Sequence, residues 1–300
     1  MKYLSFNIDN VNGGKILFDL YAQTGDERYK IAMDTLRKQM AEQPRTSEGG
    51  FWHKLRYPHQ MWLDGIFMAS PYLVQYGATF NEPALFDEAT KQILLINSKT
   101  YDPATGLFYH GWDESREQKW SNPETGCSPN FWSRSIGWYG AAIVDVLDFL
   151  PQETAGRDSI IQILQGLAKA IVKYQDPSSG TWYQVTDQGA REGNYLESSA
   201  TALFIYTLAK AINKGYIGNE YIEPTQKAFD GMVKTFTRLE EDGSYTITNC
   251  CAVAGLGGDS KRYRDGSFEY YISEPIIEND PKSVGSFILA AIEYEKMTKK

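Results

Sequence analysis

Asp64 stands inside the apolar run Met61-Trp62-Leu63-Asp64-Gly65-Ile66-Phe67-Met68-Ala69. Read as a helix that starts at Gln60, this stretch places Gln60 and Met61 on the turn before Asp64 and Phe67 and Met68 on the turn after it. A carboxylate in such a stripe is partly desolvated, which pushes its pKa up and keeps a proton available near neutrality. The chemistry this offers is general acid–base catalysis. Burial equally suits an aspartate that caps a helix or accepts a backbone N–H, so Asp64 alone leaves both readings open. Arg134, in Phe131-Trp132-Ser133-Arg134-Ser135-Ile136-Gly137-Trp138, is a second charge in apolar surroundings. It must meet an anion there, either a protein carboxylate or a substrate carboxylate. Asp9-Asn10 reads by itself as a helix N-cap and Lys54 as a solvated loop charge.

His53 and His110 share a position in a recurring motif. Gly49-Gly50-Phe51-Trp52-His53, Gly106-Leu107-Phe108-Tyr109-His110 and Gly180-Thr181-Trp182-Tyr183-Gln184 follow one pattern, with a weaker echo in Gly243-Ser244-Tyr245-Thr246-Ile247. The successive spacings are 57, 74 and 63 residues. The chain has 3 histidines, and two of them fall at equivalent positions, which favours a functional over a structural role. His53, His110 and Asp64 lack the short ligand spacing of a zinc site, so no metal is expected. Cys127, Cys250 and Cys251 form neither a metal spacing nor a disulfide framework, which suits a reducing compartment. Cys250-Cys251 reads as a packed pair.

The elements that must position these residues are helices. Periodicity predicts helices over 10–25, 26–43, 60–79, 82–98, 131–150, 156–175, 195–214, 219–237 and 283–298, with few and short strand signals. Segments such as 131–142 and 197–204 are rich in small residues and apolar on most faces, whereas 26–34 is amphipathic with a charged face. One helix of each pair is therefore inner and its partner outer. A repeat of helix, Gly-aromatic loop and helix at this scale predicts an all-α (α/α) barrel, a single domain over residues 1–300, with the loops gathered at one end around a cavity. The 20 Tyr, 14 Phe and 7 Trp exceed what a core alone needs. Aromatic rings commonly floor sugar-binding clefts.

A net charge of −8 argues against a nucleic-acid partner, which needs a basic surface. No run of about 18 apolar residues is present, so no membrane span is expected. The start Met1-Lys2-Tyr3-Leu4-Ser5-Phe6-Asn7-Ile8-Asp9 has no apolar core of a secretory signal, which points to a cytoplasmic protein. Nothing in the sequence calls for a cofactor.

Taken together, Asp9-Asn10, Arg45-Thr46-Ser47-Glu48-Gly49-Gly50-Phe51-Trp52-His53-Lys54, Gln60-Met61-Trp62-Leu63-Asp64-Gly65, Tyr109-His110-Gly111-Trp112-Asp113 and Phe131 to Trp138 resemble glycoside hydrolase family 105. These are the unsaturated rhamnogalacturonyl hydrolases, relatives of the unsaturated glucuronyl hydrolases. The resemblance implies an (α/α)6 barrel that removes a 4,5-unsaturated uronic acid from the non-reducing end of a lyase-generated oligosaccharide. It implies that Asp64 protonates C4 of the enol-ether double bond and activates water for attack at C5. Asp9 matches the second active-site aspartate, and His53, Lys54, His110, Trp132, Arg134 and Trp138 match substrate-contacting positions. One acid serving twice removes the need for the paired carboxylates of ordinary glycosidases. Family members carry about three further helices before the segment equivalent to Asp9, so an open ring with an exposed apolar flank, prone to association, is expected here. Two other classes fit the same residues: a non-catalytic helical-repeat protein that binds sugars on its aromatics, and another (α/α) toroid enzyme acting on saturated sugars.

Overall fold

The computed structural model describes residues 5–258 and 262–299. The order of its main elements is α1 (Asp9–Asn12), α2 (Lys15–Thr24), α3 (Glu27–Glu42), β1 (Gln60–Trp62), α4 (Leu63–Phe80) and α5 (Ala84–Thr100). There follow β2 (Gly111–Asp113), α6 (Ser133–Val146), α7 (Arg157–Lys173), α8 (Ser198–Asn213) and α9 (Ile222–Phe236). The chain closes with β3 (Thr237–Leu239), β4 (Tyr245–Ile247), β5 (Cys250–Cys251), α10 (Phe268–Ser273), β6 (Ile276–Ile277) and α11 (Pro281–Thr298).

The inner and outer classes of helix separate as their composition dictates. In α6 and α8 nearly every residue is buried, down to Ser133, Ser135, Ser199 and Thr207, because small side chains let inner helices approach closely. In α7, by contrast, burial is confined to Ile160, Leu164, Leu167, Ala168, Ala170 and Ile171, a stripe on one side of the helix. The inner helices pack in the order α4, α6, α8 and α11, with α1 and α2 against α4, while α5, α7 and α9 lie outside. This is the (α/α) barrel arrangement. Among the described residues strands are limited to three two-stranded antiparallel ladders, β1–β2, β3–β4 and β5–β6. The face of α11 that carries Ile288, Leu289 and Ile292 is open to solvent, as is Ile16 of α2.

Two predicted helices depart most from expectation, the others agreeing to within four residues at each end. The predicted helix 10–25 is broken at Gly13-Gly14, where helix propensity is lowest and a Cβ on Gly14 would lie 2.4 Å from the Leu36 side chain. The predicted helix 60–79 starts only at Leu63, because Gln60, Met61 and Trp62 pair as a strand with Asp113, Trp112 and Gly111. Gln60 is therefore not on the helical turn before Asp64. An apolar triplet of this length carries no periodicity of its own, and the ladder to a distant segment decides its state.

Candidate active site

The Gly-aromatic loops converge at one end of the barrel. Gly49, Gly106 and Gly180 all take positive φ, at 89°, 81° and 77°, which turns each chain sharply into its aromatic pair. The fifth residues of the three motifs then line up through ring contacts. His53 stacks on Trp62 at 4.4 Å, Trp62 meets His110 edge-on at 5.4 Å, and His110 meets Trp132 at 4.7 Å. Trp132 in turn donates from Nε1 to Gln184 Oε1 at 3.2 Å. Gly65 permits the close approach of this layer to α4, since a Cβ there would sit 3.0 Å from His53 Nδ1.

A cavity of about 450 Å³ opens at the same end. Asp9 and Asn12 of α1, His53 and Lys54, and Asp64 and Met68 of α4 line one side. Trp62, Trp132, Arg134 and Trp138 form the back, and Val253, Ala254, Arg264, Arg56 and Lys282 the rest. Asp64 is the second residue of α4, Arg134 the second of α6 and Lys282 the second of α11, so several inner helices point their N-termini at this space. The positive ends of their dipoles favour anions in it.

Asp64 keeps 14% of its side chain accessible and faces the cavity. Its Oδ2 lies 3.2 Å from His110 Nε2, yet neither atom makes an aligned hydrogen bond. Behind it, His110 Nδ1 is 2.8 Å from Tyr271 Oη, and Tyr271 O accepts from Gln184 Nε2 at 3.1 Å. The third motif therefore serves the first two by fixing the imidazole. The expected rise in the Asp64 pKa is overturned: burial pushes the carboxyl up, but the adjacent His110 and, more weakly, His53 outweigh it and hold it below its ordinary value. Helical spacing reveals the apolar neighbours of Asp64 but not an imidazole contributed from 46 residues away.

Asp9 sits between Lys54 and His53, with Oδ2 2.5 Å from Lys54 Nζ and Oδ1 3.4 Å from His53 Nε2. His53 itself is 2% exposed, and burial, opposed by Asp9, lowers its pKa to about 4, so its ring is neutral at neutral pH. Lys54 lines the cavity as expected from the resemblance. Trp138 does so too, packed on Phe67 with centroids 4.4 Å apart.

Three other expected contacts are largely enclosed by protein, Trp132 and Arg134 in the back wall of the cavity and His110 behind Asp64. His110 is wholly buried and stands behind Asp64. Trp132 is 1% exposed and acts chiefly as a wall against which His110 and Tyr271 rest. Arg134 meets a protein carboxylate: its Nη2 is 3.1 Å from Glu197 Oε1, its Nε donates to Ser199 Oγ at 2.6 Å, and Nη2 also reaches Cys251 O. Its burial is thus accounted for without a substrate. Glu197 further accepts from Cys251 N at 2.9 Å and caps α8 through Ala200 N at 2.7 Å. The pair ties α6, α8 and β5 together and places Val253 and Ala254 over the cavity.

The sequence reading does not single out Glu197, Tyr271, Arg56, Arg264 or Lys282. A buried arginine signals that some carboxylate must answer it. Which one is a matter of packing between elements. For Tyr271 and Arg264 no local pattern exists.

Comparison with known proteins agrees with this architecture. The model of Glycosyl Hydrolase Family 88 matches residues 1–298, and the chain belongs to that family of glycoside hydrolases. The chain is similar to a family 105 glycoside hydrolase of C. acetobutylicum ATCC 824, with 45% identity and a TM-score of 0.96, over 98% of this chain and 81% of that one. It is 37% identical over 230 residues to protein Atu3128 of Agrobacterium fabrum, spanning 75% of this chain and 97% of that protein. It is also 26% identical over 243 residues to the unsaturated rhamnogalacturonyl hydrolase YesR of Bacillus subtilis, spanning 79% of this chain and 65% of YesR. Among the described residues no helix is long and apolar enough to cross a membrane.

Proposed function

We propose that this chain hydrolyses 4,5-unsaturated uronides at the non-reducing end of lyase-generated oligosaccharides, with Asp64 as the proton donor to C4 and then the base for water. The observation that carries this reading is the asymmetry of the two cavity aspartates. Asp9 is held by Lys54 and His53, whereas Asp64 lines the cavity with its buried Oδ2 set against His110 and free of an aligned hydrogen bond. A conventional glycosidase needs two carboxyl groups with separate acid and base or nucleophile tasks. One available carboxyl suits hydration of a double bond. The proton goes to C4, water adds at C5 with loss of its proton to the Asp64 carboxylate, and the hemiketal opens to a ketone. C1 is left as a hemiacetal that releases the next sugar.

In the unliganded cavity His110 keeps Asp64 ionised. A uronate carboxylate entering beside it is a like charge, which raises the Asp64 pKa and loads the proton that C4 receives. kcat/KM should therefore decline with rising pH earlier than kcat does, since the first reports the free enzyme and the second the complex. Rhamnose as the neighbouring sugar is supported by the similarity to YesR, named an unsaturated rhamnogalacturonyl hydrolase.

The test is incubation with an unsaturated uronyl-rhamnose disaccharide while following the ultraviolet absorbance of the conjugated double bond. Loss of absorbance together with release of free rhamnose is the expected result. Binding without loss would make the chain a sugar-binding protein. Cleavage of only the saturated analogue would make it a different toroid enzyme.

A further inference from the structure

The outer wall of the cavity carries two cations that no carboxylate among the described residues neutralises. Arg56 Nη2 and Arg264 Nη2 both donate to Tyr57 Oη, each at 2.7 Å. Arg264 is further fixed by a bond from Nε to Gly257 O at 3.1 Å, and Arg56 lies over the Tyr57 ring at 4.8 Å. Among the described residues neither guanidinium has a carboxylate oxygen within 4.0 Å. The other cations of this cavity are all answered: Lys54 by Asp9, Lys282 by Asp280 and Arg134 by Glu197. A neutral phenol oxygen shared by two guanidinium groups cancels neither charge, and in a chain of net charge −8 an uncompensated pair facing a cavity is poised for an anion. Both side chains keep N–H groups in the planar geometry that suits carboxylate or sulfate.

The pair has a definite place relative to the chemistry. Tyr57 stacks on Trp62 at 5.1 Å, and Trp62 stacks on His53 at 4.4 Å, so two aromatic rings lie between the guanidinium groups and His53. Asp64 must touch C4, and the carboxylate on C5 of the same ring stays within one sugar of it. An anion beyond Trp62 belongs to another sugar. Resting on the function proposed above, we infer that Arg56 and Arg264 form a subsite for an acidic substituent on the residue that follows the unsaturated uronide, either a sulfate ester or a carboxylate.

The experiment compares three unsaturated uronyl disaccharides whose second sugar is uncharged, sulfated or a uronic acid, using the wild type, Arg264→Gln, Arg264→Lys and Arg56→Gln. The wild type should favour one or both acidic disaccharides in kcat/KM, and which one identifies the anion. Arg264→Gln should lower the acidic-to-uncharged ratio of kcat/KM about tenfold, mainly through KM, as expected for loss of one charge-assisted contact. Arg56→Gln should act in the same direction, and Arg264→Lys should recover part of the preference. An equal loss on all three disaccharides would overturn the subsite, because the pair would then read the uronate's own carboxylate or merely support Trp62. If the wild type consumes none of the three, the hydrolase reading has failed, and tryptophan fluorescence titration with the same disaccharides decides the subsite separately. A preference for acidic ligands that Arg264→Gln abolishes upholds it, and equal affinities overturn it.

Discussion

Two buried ion pairs lie at the same end of this barrel, and they are built for opposite purposes. Arg134 and Glu197 are 1% and 0% exposed, 3.1 Å apart, and surrounded by further partners in Ser199, Cys251 and Ala200. His110 and Asp64 are 3.2 Å apart, but Asp64 Oδ2 and His110 Nε2 lack aligned partners and the carboxylate keeps 14% of its surface toward the cavity. A buried pair with its donors and acceptors engaged is a fixture, since moving either member strands the other charge. A pair with capacity left over can exchange protons with a bound molecule. Burial and charge alone do not distinguish the two, and the count of hydrogen bonds around them does.

The sharpest way to break this contrast is to neutralise Asp64. Asp64→Asn keeps the shape and removes acid and base together, so turnover of an unsaturated uronide should drop by about 10²–10⁴-fold, at the upper end because one residue does both jobs. Thermal unfolding should be little changed. Turnover above about a tenth of wild type would move the proton transfer elsewhere.

Glu197→Gln should do the reverse. It leaves Arg134 without its counter-charge and should cost about 3–5 kcal/mol in denaturant unfolding. Activity would suffer only as the β5 segment loosens. The double variant Arg134→Met/Glu197→Leu should regain much of that stability, and a double variant as unstable as the single one would show that the pair is not the fixture described.

His53 gives a pH test of the same region. Its folded pKa of about 4 lies below the unfolded value near 6.5, so the unfolded chain binds the proton first. This difference makes stability fall as pH drops from about 6.5 toward 4, by roughly 3 kcal/mol when fully developed. His53→Asn should flatten the slope of melting temperature against pH in that window. Asp64, whose folded pKa is depressed, acts lower: its contribution is present above about 3.9 and is lost only as pH falls through its folded value. A slope unchanged in His53→Asn would mean that the imidazole reaches its proton without unfolding.

The smallest effect is expected at Asp9. Its side chain is 40% exposed, so the pair with Lys54 is partly screened and Asp9→Asn should cost less than about 1 kcal/mol of stability. Its effect on kcat/KM should stay well short of that of Asp64→Asn. Equal losses for the two variants would erase the asymmetry on which the single-carboxyl reading rests.

Much of this was legible in the linear chain. The spacing of small and apolar residues separates inner helices such as α6 from outer ones such as α7, and the repeated glycine with its aromatic pair marks the loops that meet at one end. The equivalence of His53, His110 and Gln184 also leads to the correct layer of the barrel. The helix expected from Gln60 was not legible correctly, because β1 owes its state to pairing with β2, some 50 residues away. Nor was the role of Gln184, which shows only when Tyr271 and His110 are placed beside it.

What the sequence by itself determined is what depends on neighbours within a few residues: helix period, glycine turns, and the fact that Asp64 and Arg134 are charges in apolar surroundings. Which ion answers each of those charges was decided only by the tertiary structure. Asp64 has its pKa lowered by His110, and Arg134 is neutralised by Glu197, through contacts that bridge separate turns of the barrel. Electrostatic energy depends on distance in space and on the solvent excluded between the charges, and neither quantity is written in sequence separation.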